Sequence, residues 1–141
     1  MILYLDTSVL LAALTREAET ERVLTWLGTQ DPERLAISDW VITECSSALS
    51  VKLRSGQIEA THRANALAMF TTMCAETFTL LPISGLQFRT AARFADRHAL
   101  GLRAGDSLHL AICADHGATL CTLDRQLRDA GAAAAVQTVL L

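Results

Sequence analysis

The chain has 141 residues, 51% of them hydrophobic, with a formal net charge of −3, a pI near 5.7 and a mean hydropathy of +0.30. That length predicts one domain, spanning 1–141, with a core large enough to need no covalent staples. The acidic balance excludes the global basic field of a simple nucleic-acid binder, and no apolar run approaches the roughly 18 to 20 residues of a membrane helix.

The chain opens on Met1-Ile2-Leu3-Tyr4-Leu5, a run too short for a soluble helix and bounded at once by Asp6-Thr7-Ser8. This predicts a strand buried on both faces, as in the middle of a parallel sheet. Ligands of open α/β sheets sit at the carboxyl ends of strands, which is where Asp6 falls. Helix is predicted over Val9 to Leu14 and again over Glu17 to Leu27, closed by Gly28. Asp31-Pro32 marks a turn before a short strand, Leu35 to Ser38. From Asp39 the apolar residues Ile42, Cys45, Leu49 and Leu53 recur at helical spacing up to Gly56, and a further helix runs from about Glu59 to Ala75. Phe78 to Leu81 predicts a strand, Gly85 to Ala99 a helix, and Gly101 to Gly105 a loop. Asp106 is expected to open a helix that is apolar on nearly every side and therefore central, ended by Gly117. Ala118 to Cys121 reads as strand, Asp124 to Ala130 as a short helix closed by Gly131, and Val136 to Leu140 as a last strand. Strands alternating with helices predict an α/β sandwich around a parallel sheet of about five strands.

Asp6 interrupts the first apolar run before a signal-peptide core can develop. The four cysteines, Cys45, Cys74, Cys113 and Cys121, contain no C-x-x-C pair, which predicts free thiols in a reducing, cytoplasmic setting rather than a disulfide framework or a zinc site. The surplus of apolar residues must be buried inside the domain or against another protein.

Four acids stand out by position. Asp6 follows the first strand, Glu44 lies in the first half of the helix from Asp39, Asp106 opens the buried helix, and Asp124 follows the Thr119–Cys121 strand. Each also has a structural role available: Asp6, Asp106 and Asp124 as helix caps, Glu44 as the partner of a basic residue. Glu44 falls between Ala48 and Val51 on a helical wheel, at the margin of the apolar stripe, so its carboxylate needs a partner or a metal. Carboxylates converging at one sheet edge repel each other and require shared protons or a cation. Oxygen donors without a His/Cys pattern favour Mg²⁺ or Mn²⁺ over zinc, and such ions serve phosphodiester hydrolysis.

These residues resemble the PIN-domain family, and within it the VapC-type toxins of bacterial toxin–antitoxin pairs. The resemblance spans nearly the whole chain. It rests on Leu5-Asp6-Thr7-Ser8, on Ile37-Ser38 followed by Glu44, on Ala104-Gly105-Asp106-Ser107-Leu108-His109-Leu110-Ala111, and on Thr122-Leu123-Asp124 after Gly117. It implies a PIN-like α/β/α fold and a metal-dependent endoribonuclease. Asp6, Glu44, Asp106 and Asp124 would form the acidic cluster for Mg²⁺ or Mn²⁺, with Asp6 and Asp106 as the metal ligands. Ser8, ahead of Thr7, and Thr122 would bind water or phosphate beside it; helix capping and strand-end hydrogen bonding are their structural alternatives. The reaction implied is in-line attack of water on an RNA phosphodiester, leaving a 5′-phosphate and a 3′-hydroxyl. The implied partners are the RNA substrate, a cognate antitoxin, and a second copy in a homodimer or a toxin–antitoxin hetero-oligomer.

Lys52 is the single lysine, so any phosphate grip falls to arginine. Arg89, Arg93 and Arg97 recur every four residues along a predicted helix face, and Arg103 precedes Asp106; the first three read equally as a solvated face. His109 reads as a polar break that hydrogen-bonds a neighbour rather than as a catalytic base. Trp26 and Trp40 read as core or interface anchors. A haloacid-dehalogenase phosphatase would carry a second Asp where Ser8 stands, a receiver domain needs a late lysine, and the Gly-x-Gly-x-x-Gly and P-loop patterns do not occur. The alternatives from other classes are a protein-binding module whose acids are only caps, and a PIN nuclease outside toxin–antitoxin systems.

Overall fold

Three of the five strands are buried along their whole length, and these three are the centre of the sheet. In a computed structural model describing residues 1–141, β1 (Leu3–Leu5), β2 (Leu35–Ser38) and β4 (Thr119–Thr122) have every residue buried, whereas β3 (Thr79–Leu81) and β5 (Thr138–Leu140) are partly exposed. The sheet order is β3-β2-β1-β4-β5 and every pairing is parallel. Near-continuous apolar runs belong in the middle of such a sheet because helices cover both of its faces.

Seven helices make the crossovers. They are α1 (Thr7–Leu14), α2 (Thr20–Gly28), α3 (Asp39–Arg54), α4 (Ala60–Glu76), α5 (Gly85–Asp96), α6 (Ala104–His116) and α7 (Arg125–Ala133). Right-handed crossovers put α1 to α4 on one face and α5 to α7 on the other. The packing follows that division: α1 lies against α2, α3 and α4, and α5 lies along α6. The result is the three-layer α/β/α arrangement expected from the alternation of elements. All four cysteines are free. Burial pushes the Cys45 and Cys121 thiols up to about 12, which leaves them without thiolate character.

Several boundaries differ from expectation, each for a local reason. Asp106 does not open α6; the helix begins at Ala104, so Gly105 belongs to its first turn rather than to a loop. Asp106 stands three residues in, where its Oδ2 accepts from the backbone N–H of Arg103 at 3.3 Å. Gly131 does not close α7, which continues to Ala133. It serves close packing instead, since a Cβ there would fall against Thr138 and Leu110. Arg97 lies beyond the end of α5, so the arginine stripe is broken after Arg93.

The direction of α5 also matters for the arginines. Gln87 near its start donates to Asp115 near the end of α6 at 2.5 Å, so the two helices run antiparallel. The C-terminal end of α5 therefore lies toward the start of α6. Between Arg89 and Arg97 the chain advances about 12 Å.

Candidate active site

In this sheet order the chain leaves β1 for β2 on one side and reaches β4 on the other. The crevice beyond the carboxyl ends of β1 and β4 is the topological switch point, where open α/β sheets bind ligands. Asp6 directly follows β1 and Thr122 ends β4. The Thr122 hydroxyl donates to Asp6 Oδ2 at 2.5 Å, closing the crevice across 116 residues of sequence.

Asp6 is 3% exposed. Its Oδ1 accepts from the Ser8 hydroxyl at 2.5 Å and from the Val9 N–H at 3.2 Å, so it also caps α1. Burial pushes this carboxyl above its ordinary range, and the charge of His109 and these hydrogen bonds only partly oppose that. Ser8 is not the cap. Its Oγ accepts from the Leu123 N–H at 3.0 Å while donating to Asp6, which ties α1 to the end of β4. Thr122 accepts from the Asp124 N–H at 3.0 Å, and Asp124 Oδ1 caps α7 through Gln126 and Leu127 at 2.8 and 3.2 Å. The capping role is thus real for Asp6 and Asp124, and it coexists with their place at the crevice.

Glu44 reaches the same edge from the first half of α3. Its Oε1 accepts from the Thr7 hydroxyl at 2.6 Å and meets His109 Nε2 at 2.5 Å, while Oε2 accepts nothing. A Cβ on Gly105 would lie 2.9 Å from Oε2 and 3.4 Å from the Trp40 ring, so this oxygen faces the first turn of α6, beside Asp106. Burial raises the Glu44 carboxyl, but the hydrogen bond and charge of His109 with the Thr7 bond outweigh it, and the net shift is downward. The basic partner expected for it is His109. Asp106 is half-buried and its Oδ1 is free of protein donors. Arg103 is exposed at the start of α6. Arg89 and Arg93 are exposed on α5, and Arg97 is turned to the Ala133 carbonyl at 3.4 Å.

The donor set at this edge is all oxygen, which suits Mg²⁺ or Mn²⁺ over zinc. No three His, Cys, Asp or Glu side chains stand close enough together to hold an ion by themselves. A cation here would take one or two carboxylates and keep several waters, as Mg²⁺ does in phosphate-handling sites. The residues fit such an ion.

The profile of the PIN domain family matches residues 3–133. The chain belongs to the PIN domain family. No curated protein sequence matches closely enough to count. Among solved structures, FitAcB from Neisseria gonorrhoeae aligns with a TM-score of 0.69 at 18% identity, covering 97% of this chain and 96% of that one. VapC20 of Mycobacterium tuberculosis, described as a sarcin-ricin loop cleaving toxin, aligns at 0.72 with 16% identity, over 93% and 94% of the two chains. VapBC-5 of the same organism, from a toxin–antitoxin system, aligns at 0.65 with 21% identity over 100% of both. At these identities the likeness is one of fold, and it covers the PIN chain end to end.

His109 is the polar break that hydrogen-bonds a neighbour, as its place on an apolar helix suggested, and its partners are Tyr4 and Glu44. Thr7, the second choice after Ser8 as a hydroxyl beside the metal, bonds Glu44 instead. Sequence reasoning gave no part to Tyr4 or to the Ser38 hydroxyl; both are polar groups inside otherwise apolar strands, and that interruption was the available signal. Trp40 packs partly buried against the core as an anchor, but its indole N–H has no acceptor beside Gly105.

Proposed function

We propose that this PIN protein is a Mg²⁺- or Mn²⁺-dependent endoribonuclease, the toxin of a VapC-type toxin–antitoxin pair. The observation that carries the reading is the buried Asp6 carboxyl at the switch point, closed on by Thr122, with the free Oε2 of Glu44 facing the first turn of α6, which carries Asp106. A desolvated carboxylate with further acids along the same strand ends favours a cation, and the oxygen donors favour a hard one. Asp6 and Asp106 are the proposed ligands; Glu44 and Asp124 orient water, and Ser8 and Thr122 hold Asp6 and the backbone around it. A bound Mg²⁺ would neutralise phosphate oxygens and make water a better nucleophile at neutral pH. Arg103, exposed beside Asp106, is the first candidate to grip the RNA backbone, since phosphate contacts supply most non-specific affinity.

The proposed protein partner is a cognate antitoxin. Exposed apolar side chains on the α2–α4 face (Leu24, Val51 and Met69) support a covering partner, as do toxin–antitoxin structures among those with this fold. The same face serves a second copy in a homodimer or hetero-oligomer.

The test is cleavage of total RNA by the purified chain with Mg²⁺, with Mn²⁺ and with EDTA, beside a folded Asp6→Asn variant. Metal-dependent cleavage with 5′-phosphate ends, lost in the variant, is the expected result. Fragments ending in 2′,3′-cyclic phosphate would rule the chemistry out. Neither metal binding nor cleavage would leave a protein-binding module whose acids are only caps.

A further inference from the structure

His109 is a buried imidazole on a helix whose neighbours in sequence are apolar, and both of its nitrogens are engaged. Nδ1 lies 2.9 Å from the Tyr4 hydroxyl, Nε2 lies 2.5 Å from Glu44 Oε1, and the Tyr4 hydroxyl lies 2.8 Å from Ser38 Oγ. Ser38 and Tyr4 are fully buried, and His109 is 3% exposed. These contacts join β2, β1, α6 and α3 across 105 residues of sequence, from the floor of the sheet to the acidic edge.

Every arrangement of hydrogens that suits a Glu44 carboxylate has the same feature at its acidic end. The net downward shift of Glu44 keeps it a carboxylate, which only accepts, so Nε2 must carry a proton. A neutral ring then takes the Tyr4 O–H at Nδ1, and a charged ring gives its Nδ1–H to the Tyr4 oxygen; Nε2 donates to Glu44 in both. Burial pushes the Tyr4 phenol well above its ordinary 10, so it keeps its proton to give. Ser38 donates to the Tyr4 oxygen in the first case and accepts the phenol proton in the second. The opposite tautomer would set a nitrogen lone pair against a carboxylate oxygen at 2.5 Å, which is repulsive.

We propose that His109 is the positioning residue for Glu44: the Ser38–Tyr4–His109 chain delivers one N–H to Oε1 and thereby reserves Oε2 as the working oxygen, aimed at the first turn of α6. This rests on the ribonuclease reading for what Oε2 does, and on geometry alone for how it is held. Thr7 supplies the second bond to Oε1, so a single carboxylate oxygen carries the whole protein attachment. Two bonds at one oxygen fix both the side-chain torsions and the face presented. Gly105 completes the arrangement by leaving open the space in front of Oε2. His109 does not touch the reacting atoms; it acts through Glu44.

Two substitutions separate positioning from packing. His109→Gln places an amide N–H near Nε2 and keeps the donor to Glu44. His109→Asn reaches only to the Nδ1 position, where its amide can still meet the Tyr4 hydroxyl, and loses Glu44. With both variants folded by thermal melting, His109→Gln should retain most of kcat, while His109→Asn should lose about 10- to 100-fold in kcat at unchanged KM, the range of ligand-orienting partners. A merely structural histidine would lower activity only in step with stability, and Asn at wild-type kcat would overturn the proposal. Should neither variant fold, Tyr4→Phe tests the same chain by emptying Nδ1, with an expected kcat loss of roughly 3- to 10-fold.

The second readout needs no activity. Nitrogen-15 spectra of the wild-type chain should show His109 protonated at Nε2 with a downfield N–H proton that disappears in Glu44→Ala. A proton on Nδ1 alone, or a resonance indifferent to Glu44→Ala, would overturn the positioning role. Should the wild-type chain cleave no RNA with any metal, the ribonuclease reading falls, and the tautomer measurement decides the positioning by itself.

Discussion

Asp6 shows how one side chain can be costly to the fold and still be kept. Its folded pKa is raised above the ordinary 3.8, chiefly by burial. A group shifted in that direction contributes stability that is complete below 3.8 and is lost as pH rises through the folded pKa. Above that folded pKa the chain has lost it. Asp6→Asn removes the ionisable group and keeps the shape, so at pH above the folded pKa the variant should be the more stable by on the order of 1 kcal/mol. That gap should narrow as the pH is lowered past the Asp6 pKa, read from urea or thermal melts across pH. The same variant should lose RNA cleavage by about 100-fold. Added Mg²⁺ should raise the melting temperature of the wild-type chain and leave that of the variant unmoved, since only a binder of the folded state stabilises. A variant melting below wild type at every pH would mean that the hydrogen bonds to Asp6 outweigh its desolvation.

Among the elements, the meeting of α3 and α6 does most to shape the site. The two helices approach from opposite faces of the sheet and touch at its carboxyl edge through Glu44 and His109. Gly105 permits that approach by having no side chain, and Glu44 has little freedom to withdraw because Oε1 is held twice. Gly105→Ala should accordingly separate fold from function. The helix gains up to about 1 kcal/mol of propensity, while the new Cβ crowds Oε2. We expect stability within about 1 kcal/mol of wild type and cleavage lowered about 10-fold, measured by thermal melting beside steady-state kinetics. An active Gly105→Ala chain would show that Oε2 needs no open space.

For the whole molecule, a net charge of −3 means that RNA must be held by local rather than global charge. The antiparallel run of α5 along α6 ranks the arginines by distance. Arg103 adjoins Asp106, Arg97 and Arg93 lie toward that end of α5, and Arg89 lies at the remote end, its guanidinium over Gly85. Each phosphate contact to a single strand contributes about 0.7 to the slope of log K against log salt. Arg103→Gln should reduce that slope by about 0.7, whereas Arg89→Gln should leave it unchanged. Filter binding of an uncleaved RNA by a folded Asp6→Asn chain at several salt concentrations makes the comparison. Equal effects at both positions would mean that the RNA runs along the whole of α5.

What the sequence determined by itself was everything that depends on near neighbours along the chain. Short apolar runs set β1, β2 and β4; the caps at Asp6 and Asp124 set where helices start, and the spacing of Cys45 and Leu49 gave the buried face of α3, which Val41 completes while Ile42 is only partly buried. Asp6 and Asp124 could be placed at strand ends because strand, turn and helix follow each other within a few residues. Where the periodic signal was weakest, at the glycines around α6 and α7, the boundaries moved by a few residues. Only the tertiary structure decided that Thr122 closes on Asp6 and that His109 holds Glu44. It also put the space in front of Oε2 at Gly105 and left Arg89 remote from the acids. These pairs are separated by 116 and 65 residues. Helical and strand periodicities report contacts within about four positions, so bonds made by bringing β1 beside β4 and α3 beside α6 leave no local trace.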